Sequence, residues 1–485
     1  MLSGKGVLRT ALILTTMAVI IFTALFLMWW NAFFLPGDLK WREYETAYDD
    51  GRIELKNKRV CFTGDDTVWK SDSGVFVQDM LIRDIDRDGR EELVMLCWKH
   101  GSFGHHIPRW VNRNDIRLEQ HVFIYRRETD TIRPLWMSSS IGSGFCSMAG
   151  WGDDKIILNS RKGDHDIWTW EDFGLKLAGR SKEEKVSVVC AGDNLVHTRL
   201  LNDDRYKQVY DRLKDTISGA DIATVNQETV LVADPALVSD HPRFALPAKI
   251  AYDLADTGFD VITLANNHML DLGMYGVDST AGIIEDAFNE TGTDTAVSKR
   301  IYTGINPSSG VSGDKAQEDM YRAVKFTSCR GIRIACLSYT YGTNGMKEPK
   351  ESPYAVEKLE NTERVAEQIR YARPRADVVM VFPHWGDENS SEVSKEQERL
   401  ARFFLDAGCD VVVGTHPHVV QKYEILKDPK GREMPVFYSL GNFVSGQSEE
   451  ANRIGGLAGF DLVKGADGEV CIKDPELSCF DIFFE

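Results

Sequence analysis

At 485 residues the chain is long enough for two or three domains and a substantial core. Its 43% hydrophobic and 27% charged content is that of a globular protein rather than a disordered or fibrous one. The formal charge of -17 argues against nucleic-acid binding and leaves cations or basic ligands as the species the surface attracts.

The first predicted element is a membrane helix. No charged residue occurs from Thr10 to Pro36, and Ala11 to Leu35 is mostly aliphatic and aromatic. About 20 apolar residues suffice to span the hydrocarbon core. Lys5 and Arg9 precede the run and Asp38 follows it, which puts the N-terminus in the cytoplasm and the main body outside, in a single pass through the cell membrane. A cleaved signal peptide would end in a small-x-small site, and the exit through Trp29, Trp30 and Pro36 offers none.

Gly37 to about Asp72 is charged and mixed, a stalk or the first strands of a small domain. From Val75 to about Leu177, short runs such as 93–98, 122–125 and 155–158 are rich in Val, Ile, Phe, Tyr and Trp and separated by turn residues, so this region is predicted to be mostly β. Within it Asp84, Asp86, Asp88 and Glu92 surround Gly89. Alternating carboxylates before a glycine can fold around Ca2+, although the twelfth position that an EF-hand fills with Glu is Met95 here. The segment instead resembles the Asp-rich loops of FG-GAP/VCBS-type repeats, and a plain solvated turn is the competing explanation. The nine cysteines are dispersed without CxxC spacing, which fits buried free thiols better than a disulfide framework or a zinc ribbon.

After a polar linker at 181–185 the rhythm changes. Strand-like runs at 186–190, 222–225, 261–264, 378–382 and 411–413 alternate with helical stretches at 205–218, 249–257, 361–372 and 395–407. That alternation predicts an α/β domain, closed by a hairpin from 459–463 and 469–472. The expected organisation is an anchor over 1–36, a β-rich domain over 37–180 and the α/β domain over 186–485.

Each strand of the α/β domain exits into a polar residue: Asp193, Glu228, Asn267 with His268 and Asp271, His384, and His416 with His418. Ligands bind at such strand ends in open α/β sheets. Carboxylates, neutral imidazoles and an amide oxygen form a mixed set suited to Mn2+, Fe2+ or Zn2+. Singly, Asp193 could be a turn residue, Glu228 a surface residue, and His268 or His384 a hydrogen-bonded core histidine. Their joint occurrence in one domain carries the weight.

Gly192-Asp193, Asn226-x-Glu228, Leu264-Ala-Asn-Asn-His268 with Asp271 and Gly273, His384-Trp-Gly386, Gly414-x-His-Pro-His418 with Gln421, and Tyr438-Ser-Leu-Gly-Asn-Phe443 together resemble the CapA family of poly-γ-glutamate capsule biosynthesis, a branch of the calcineurin-like metallophosphoesterases. The resemblance covers about 186–460 and implies an α+β sandwich of metallophosphatase type. It implies two metal ions bridged by Glu228, with Asp193 and His418 on one and Asn267, His384 and His416 on the other. His268 would then be the general acid. One departure stands out: the superfamily often has Asp-x-His in its first motif, and Leu195 occupies the histidine position. Asn226, His197 or water could complete that ion, Asn194 and His197 being weak candidates. Two functions follow: a component of capsule synthesis or export that meets an anionic polymer or the capsule machinery, or a metal-dependent phosphoesterase at the cell surface.

Overall fold

The computed structural model describes residues 35–485, apart from 36–38, 40, 50, 65–66, 104–116, 129–130, 143, 152–154, 161–164, 182–184, 292–299, 309–317, 466–468 and 485. The predicted anchor thus lies outside the described residues, save Leu35, and no helix among those described is long and apolar enough to cross a membrane. The described residues form two compact units, one up to 148 with 170–175 and the other from 149–169 with 176 onward.

Among its described residues the first unit is all β: from Val75 on this is the predicted character, and 44–70, a stalk or first strands by sequence, is strands. One antiparallel meander runs through Tyr44–Tyr48, Gly51–Lys56, Arg59–Gly64 and Val68–Lys70, and a second through Phe76–Arg83, Glu92–His100, Leu118–Glu128 and Thr131–Met137. Ile53 and Leu55 alternate with partly exposed neighbours, the period of a half-buried strand. Leu93 to Trp98 shows no alternation because that strand is buried on both faces. Ile53, Val77, Met95 and Phe123 share one core.

The second unit contains strands Lys185–Leu195 (β1), Ile222–Gln227 (β2), Val261–Thr263 (β3), Ile301–Thr303 (β4), Lys325–Cys329 (β5), Ile332–Thr340 (β6), Val378–His384 (β7), Val411–Val413 (β8), Tyr423–Lys427 (β9), Glu433–Phe437 (β10), Asn442–Ser445 (β11), Ile454–Lys464 (β12) and Val470–Asp481 (β13). They form two sheets, ordered β4-β3-β2-β1-β12-β13 with β11 also beside β1, and β5-β6-β7-β8-β10-β9. The sheets face each other: Val186, Val188, Ile222 and Val261 of one pack with Ile334, Val378, Met380 and Val411 of the other. Helices Lys207–Ser218 (α1), Lys249–Thr257 (α2) and Gly273–Glu290 (α3) cover the outer face of the first sheet, burying Val209, Ile250, Leu254 and Ile284 against Val225 and Ile262. Thr362–Ala372 (α4) and Lys395–Ala407 (α5) cover the second with Ile369 and Phe404. The result is a four-layer mixed α/β sandwich.

Local signals place the helix ends. Ser394 caps α5 in a reciprocal capping box with Gln397, and Gly408 ends it at φ 106°. Asn361, predicted helical, is instead the N-cap of α4. The closing hairpin is longer than predicted, pairing all of β12 with β13. All nine cysteines are free, with Cys190, Cys336 and Cys409 buried as expected.

Candidate metal centre

β1, β2 and β3 are mutually parallel, as are β6, β7 and β8, so each set delivers its exits to one edge. The two sheets bring these edges together. The first contributes Asp193, Glu228, Asn267 and His268; the second contributes His384, His416 and His418.

Asp193 is fully buried. Its Oδ1 accepts from Asn226 Nδ2 at 2.7 Å and its Oδ2 from the His416 backbone N–H at 3.0 Å. His418 Nδ1 lies 3.4 Å from Oδ2, and His384 Nδ1 lies 3.8 Å from Oδ1. Burial disfavours the charged carboxylate, yet the hydrogen bond to His418 and the nearby His384 and His418 rings outweigh it and hold Asp193 below the usual carboxylate range.

Glu228 is the opposite case. It is fully buried, and neither Oε1 nor Oε2 has a hydrogen-bond partner among the described residues. His384 Nε2 and His418 Nε2 stand 3.4 and 3.6 Å from Oε1, too far and too loosely arranged to satisfy it. Burial, then the neighbouring Asp193 charge, push its carboxyl well above the ordinary value.

The histidines are held for ligation. His384 Nδ1 approaches Thr415 Oγ1 at 3.0 Å, while its Nε2 lies 3.0 Å from Asn267 Oδ1 and 3.1 Å from His416 Nδ1. Two ring nitrogens and an amide oxygen converging with no proton enough for all of them is a donor set that a cation would resolve. His418 Nδ1 pairs with Asn442 Oδ1 at 3.0 Å. Burial, then the charge of His418, bring His416 down to about 3, and burial, then His416, hold His384 well below its ordinary value. Both rings are therefore neutral at physiological pH, the form that binds metals. His416 and His418 adopt φ of 99° and 59°, which for non-glycine residues costs roughly 1–3 kcal/mol each. That strain aims both imidazoles from one short loop.

In the sandwich two triads have ligand atoms within 4.8 Å of one another, Glu228 with His416 and His418, and Asp193 with Glu228 and His384; a third such group, Asp84 with Asp86 and Glu92, lies in the first unit. Glu228 belongs to both sandwich triads. The buried, unsatisfied carboxylate among imidazoles fits one or two divalent cations.

His268 stands beside this cluster. Its Nδ1 donates to Asp271 Oδ2 at 2.8 Å, which leaves Nε2 for the cavity that His268 and His418 line together. The cavity, of about 440 Å³, is also lined by Leu195, Arg243, Asn344 and Glu388. Phe244 was not singled out by any sequence pattern, yet its ring meets those of His268 and His197 edge-on at 4.9 and 5.3 Å. Tyr341 covers His416 with a ring separation of 4.4 Å. It directly follows β6, so the strand-exit rule could have found it.

The weaker candidates have other duties. Asn194 turns away to Tyr210 Oη and Gln227, and His197 Nδ1 accepts from the Gly446 N–H at 3.0 Å. Asn226 positions Asp193. Gln421 braces the 390–392 segment through its amide, away from the cluster.

In the first unit the structure also gathers Asp84, Asp86, Asp88 and Glu92, but around Arg126. The guanidinium lies 2.6 Å from Asp86, 3.0 Å from Asp88 and 2.7 Å from Glu92. Asp84 accepts from the backbone N–H groups of Asp88 and Gly89.

A family model described as "Bacterial capsule synthesis protein PGA_cap" matches residues 187–447, more than half the chain. The capsule biosynthesis protein CapA of Bacillus anthracis is 28% identical over 312 residues, covering 61% of this chain and 68% of its own. The PGA biosynthesis protein CapA of Bacillus subtilis is 30% identical over 216 residues, and the chain spans only 50% of its length. Among solved structures, the NAD nucleotidase of Haemophilus influenzae is 12% identical, with a TM-score of 0.35 over 62% of this chain and 57% of that one, a superposition too loose to carry an argument.

Proposed function

Because the chain belongs to the bacterial capsule synthesis protein family, we propose that it serves poly-γ-glutamate capsule biosynthesis or export through a metal-dependent hydrolytic centre of metallophosphatase type. The observation that carries this is Glu228: a fully buried carboxylate with both oxygens unpartnered, facing three histidines and Asp193. Asp193, Glu228, Asn267, His384, His416 and His418 would hold two divalent cations, Mn2+, Fe2+ or Zn2+. When bound, such ions supply positive charge that polarises the scissile group and acidifies water.

The chain's own residues do the rest. Asp271 accepts from Nδ1–H and fixes the His268 ring, so that in its imidazolium form Nε2 can pass its proton to the leaving atom and the ring is left neutral. Thr415 and Asn442 orient His384 and His418, and Tyr341 shields His416. Leu195, where a further ligand often stands in the superfamily, lines the cavity and offers no donor. The uncharged run at 10–36 supports a single-pass position in the cell membrane, with the centre outside and the capsule machinery or an anionic polymer as partner.

The dyad of His268 and Asp271 favours turnover over metal-assisted binding alone. Full-length protein in detergent should hydrolyse an aryl phosphodiester only with added Mn2+. His416→Ala should lose both metal and turnover, while His268→Ala should keep metal and lose roughly 10²–10⁴-fold in rate. Bound metal without turnover in the wild type would leave a non-hydrolytic accessory role.

A further inference from the structure

One wall of the cavity beside the metal cluster has no part in the mechanism above. It is the segment 239–245, closed on itself by Ser239 N to Ala245 O at 2.9 Å and Ala245 N to Ser239 O at 3.1 Å. Within it, Ser239 Oγ donates to the Arg243 carbonyl at 2.7 Å, and Asp240 Oδ2 accepts from the Thr198 N–H at 3.0 Å. The next residue is tied to the dyad: Phe244 N–H donates to Asp271 Oδ2 at 2.7 Å. The backbone on both sides of Arg243 is thus fixed relative to His268.

The guanidinium itself is not committed. Its side-chain contact is Nη2 to Met346 Sδ at 4.0 Å, a weak one, and no carboxylate pairs with it among the described residues. Arg243 is exposed, at the mouth of the cavity that His268 and His418 also line. Arg126 and Arg364, by contrast, are saturated by carboxylates. Two acids share the cavity. Asp271 is engaged by His268 and Phe244, and Glu388 lines the same cavity, of which Arg243 is the one arginine among the described residues.

We propose that Arg243 is a specificity-determining residue that binds an anionic group of the substrate, a carboxylate or phosphate, on the side of the scissile bond that His268 protonates. The side rests on the functional proposal above; the anion binding does not. A guanidinium can grip either oxyanion with two parallel N–H bonds, which an ammonium cannot reproduce.

The test uses full-length protein loaded with Mn2+, as wild type, Arg243→Ala and Arg243→Lys, titrated calorimetrically with glutarate, inorganic phosphate and neutral glutaramide. Arg243→Ala should weaken one or both anions on the order of tenfold, with Arg243→Lys intermediate and glutaramide unaffected. Loss confined to glutarate identifies a carboxylate, and loss confined to phosphate a phosphate. Anion affinities equal in Arg243→Ala and wild type, no anion binding in wild type, or a parallel change for glutaramide would overturn the assignment. Manganese content of the same samples separates the two proposals: a wild type that takes up no metal ends the hydrolytic one, while the anion titrations still decide this one.

Discussion

Two glutamates, Glu92 in the β-rich unit and Glu228 in the sandwich, are both fully buried, and their surroundings differ completely. Glu92 accepts from the Ile85 N–H through Oε2 and from Arg126 through Oε1, so each oxygen is satisfied by the chain. Glu228 has neither oxygen satisfied and faces the neutral rings of His384 and His416. A cluster of acids does not by itself mark a metal site. What marks it is whether the fold supplies the counter-cation or leaves it to be bound, since an unpaired buried charge is costly to retain for structure alone.

The strongest way to break this contrast is to neutralise Glu228. Glu228→Gln should lower Mn2+ affinity by more than the roughly 10–100-fold typical of outer-shell partners, since Glu228 lies in both ligand triads. In metal-free protein the same change should raise the melting temperature, because the amide escapes the cost of burying or protonating an unsatisfied carboxylate. A metal-free Tm that falls would show that Glu228 is paired after all.

Arg126→Ala is the matching experiment in the other unit. It strands Glu92, whose side chain is 0% exposed, and should cost about 3 kcal/mol in denaturant unfolding of that unit. Millimolar Ca2+ should then raise the melting temperature of the variant and leave the wild type unchanged. Stabilisation of the wild type by Ca2+ would mean that the loop binds a cation despite Arg126.

A pH effect separates structural burial from ligation. Burial pushes the Asp260 carboxyl up to about 7, against the Ala223 amide and Arg300. An unfolded aspartate ionises near pH 4, so the unfolded chain loses that proton first. This group's contribution is therefore complete below about pH 4 and lost as pH rises to about 7. Asp260→Asn should flatten the stability profile across that window without altering metal affinity. The smallest effect belongs to the α5 cap: Ser394→Ala should cost about 1 kcal/mol by denaturant titration, and metal content should not change.

The amino-acid order by itself determined that Asp193, Glu228, Asn267, His384, His416 and His418 stand at or near the ends of strands, because a buried strand needs a continuous apolar run and the chain turns polar where that run stops. It likewise determined the β character of the first unit and the helices of the second, whose caps and periods are local. Only the tertiary structure decided that exits from two different sheets meet, that Arg126, more than thirty residues away, fills the acidic loop, and that Phe244 and Arg243 stand beside His268. Contacts of that kind come from packing the layers face to face, which no local pattern encodes. In the same way, whether a buried carboxylate is satisfied depends on every group brought around it, not on its neighbours in the chain.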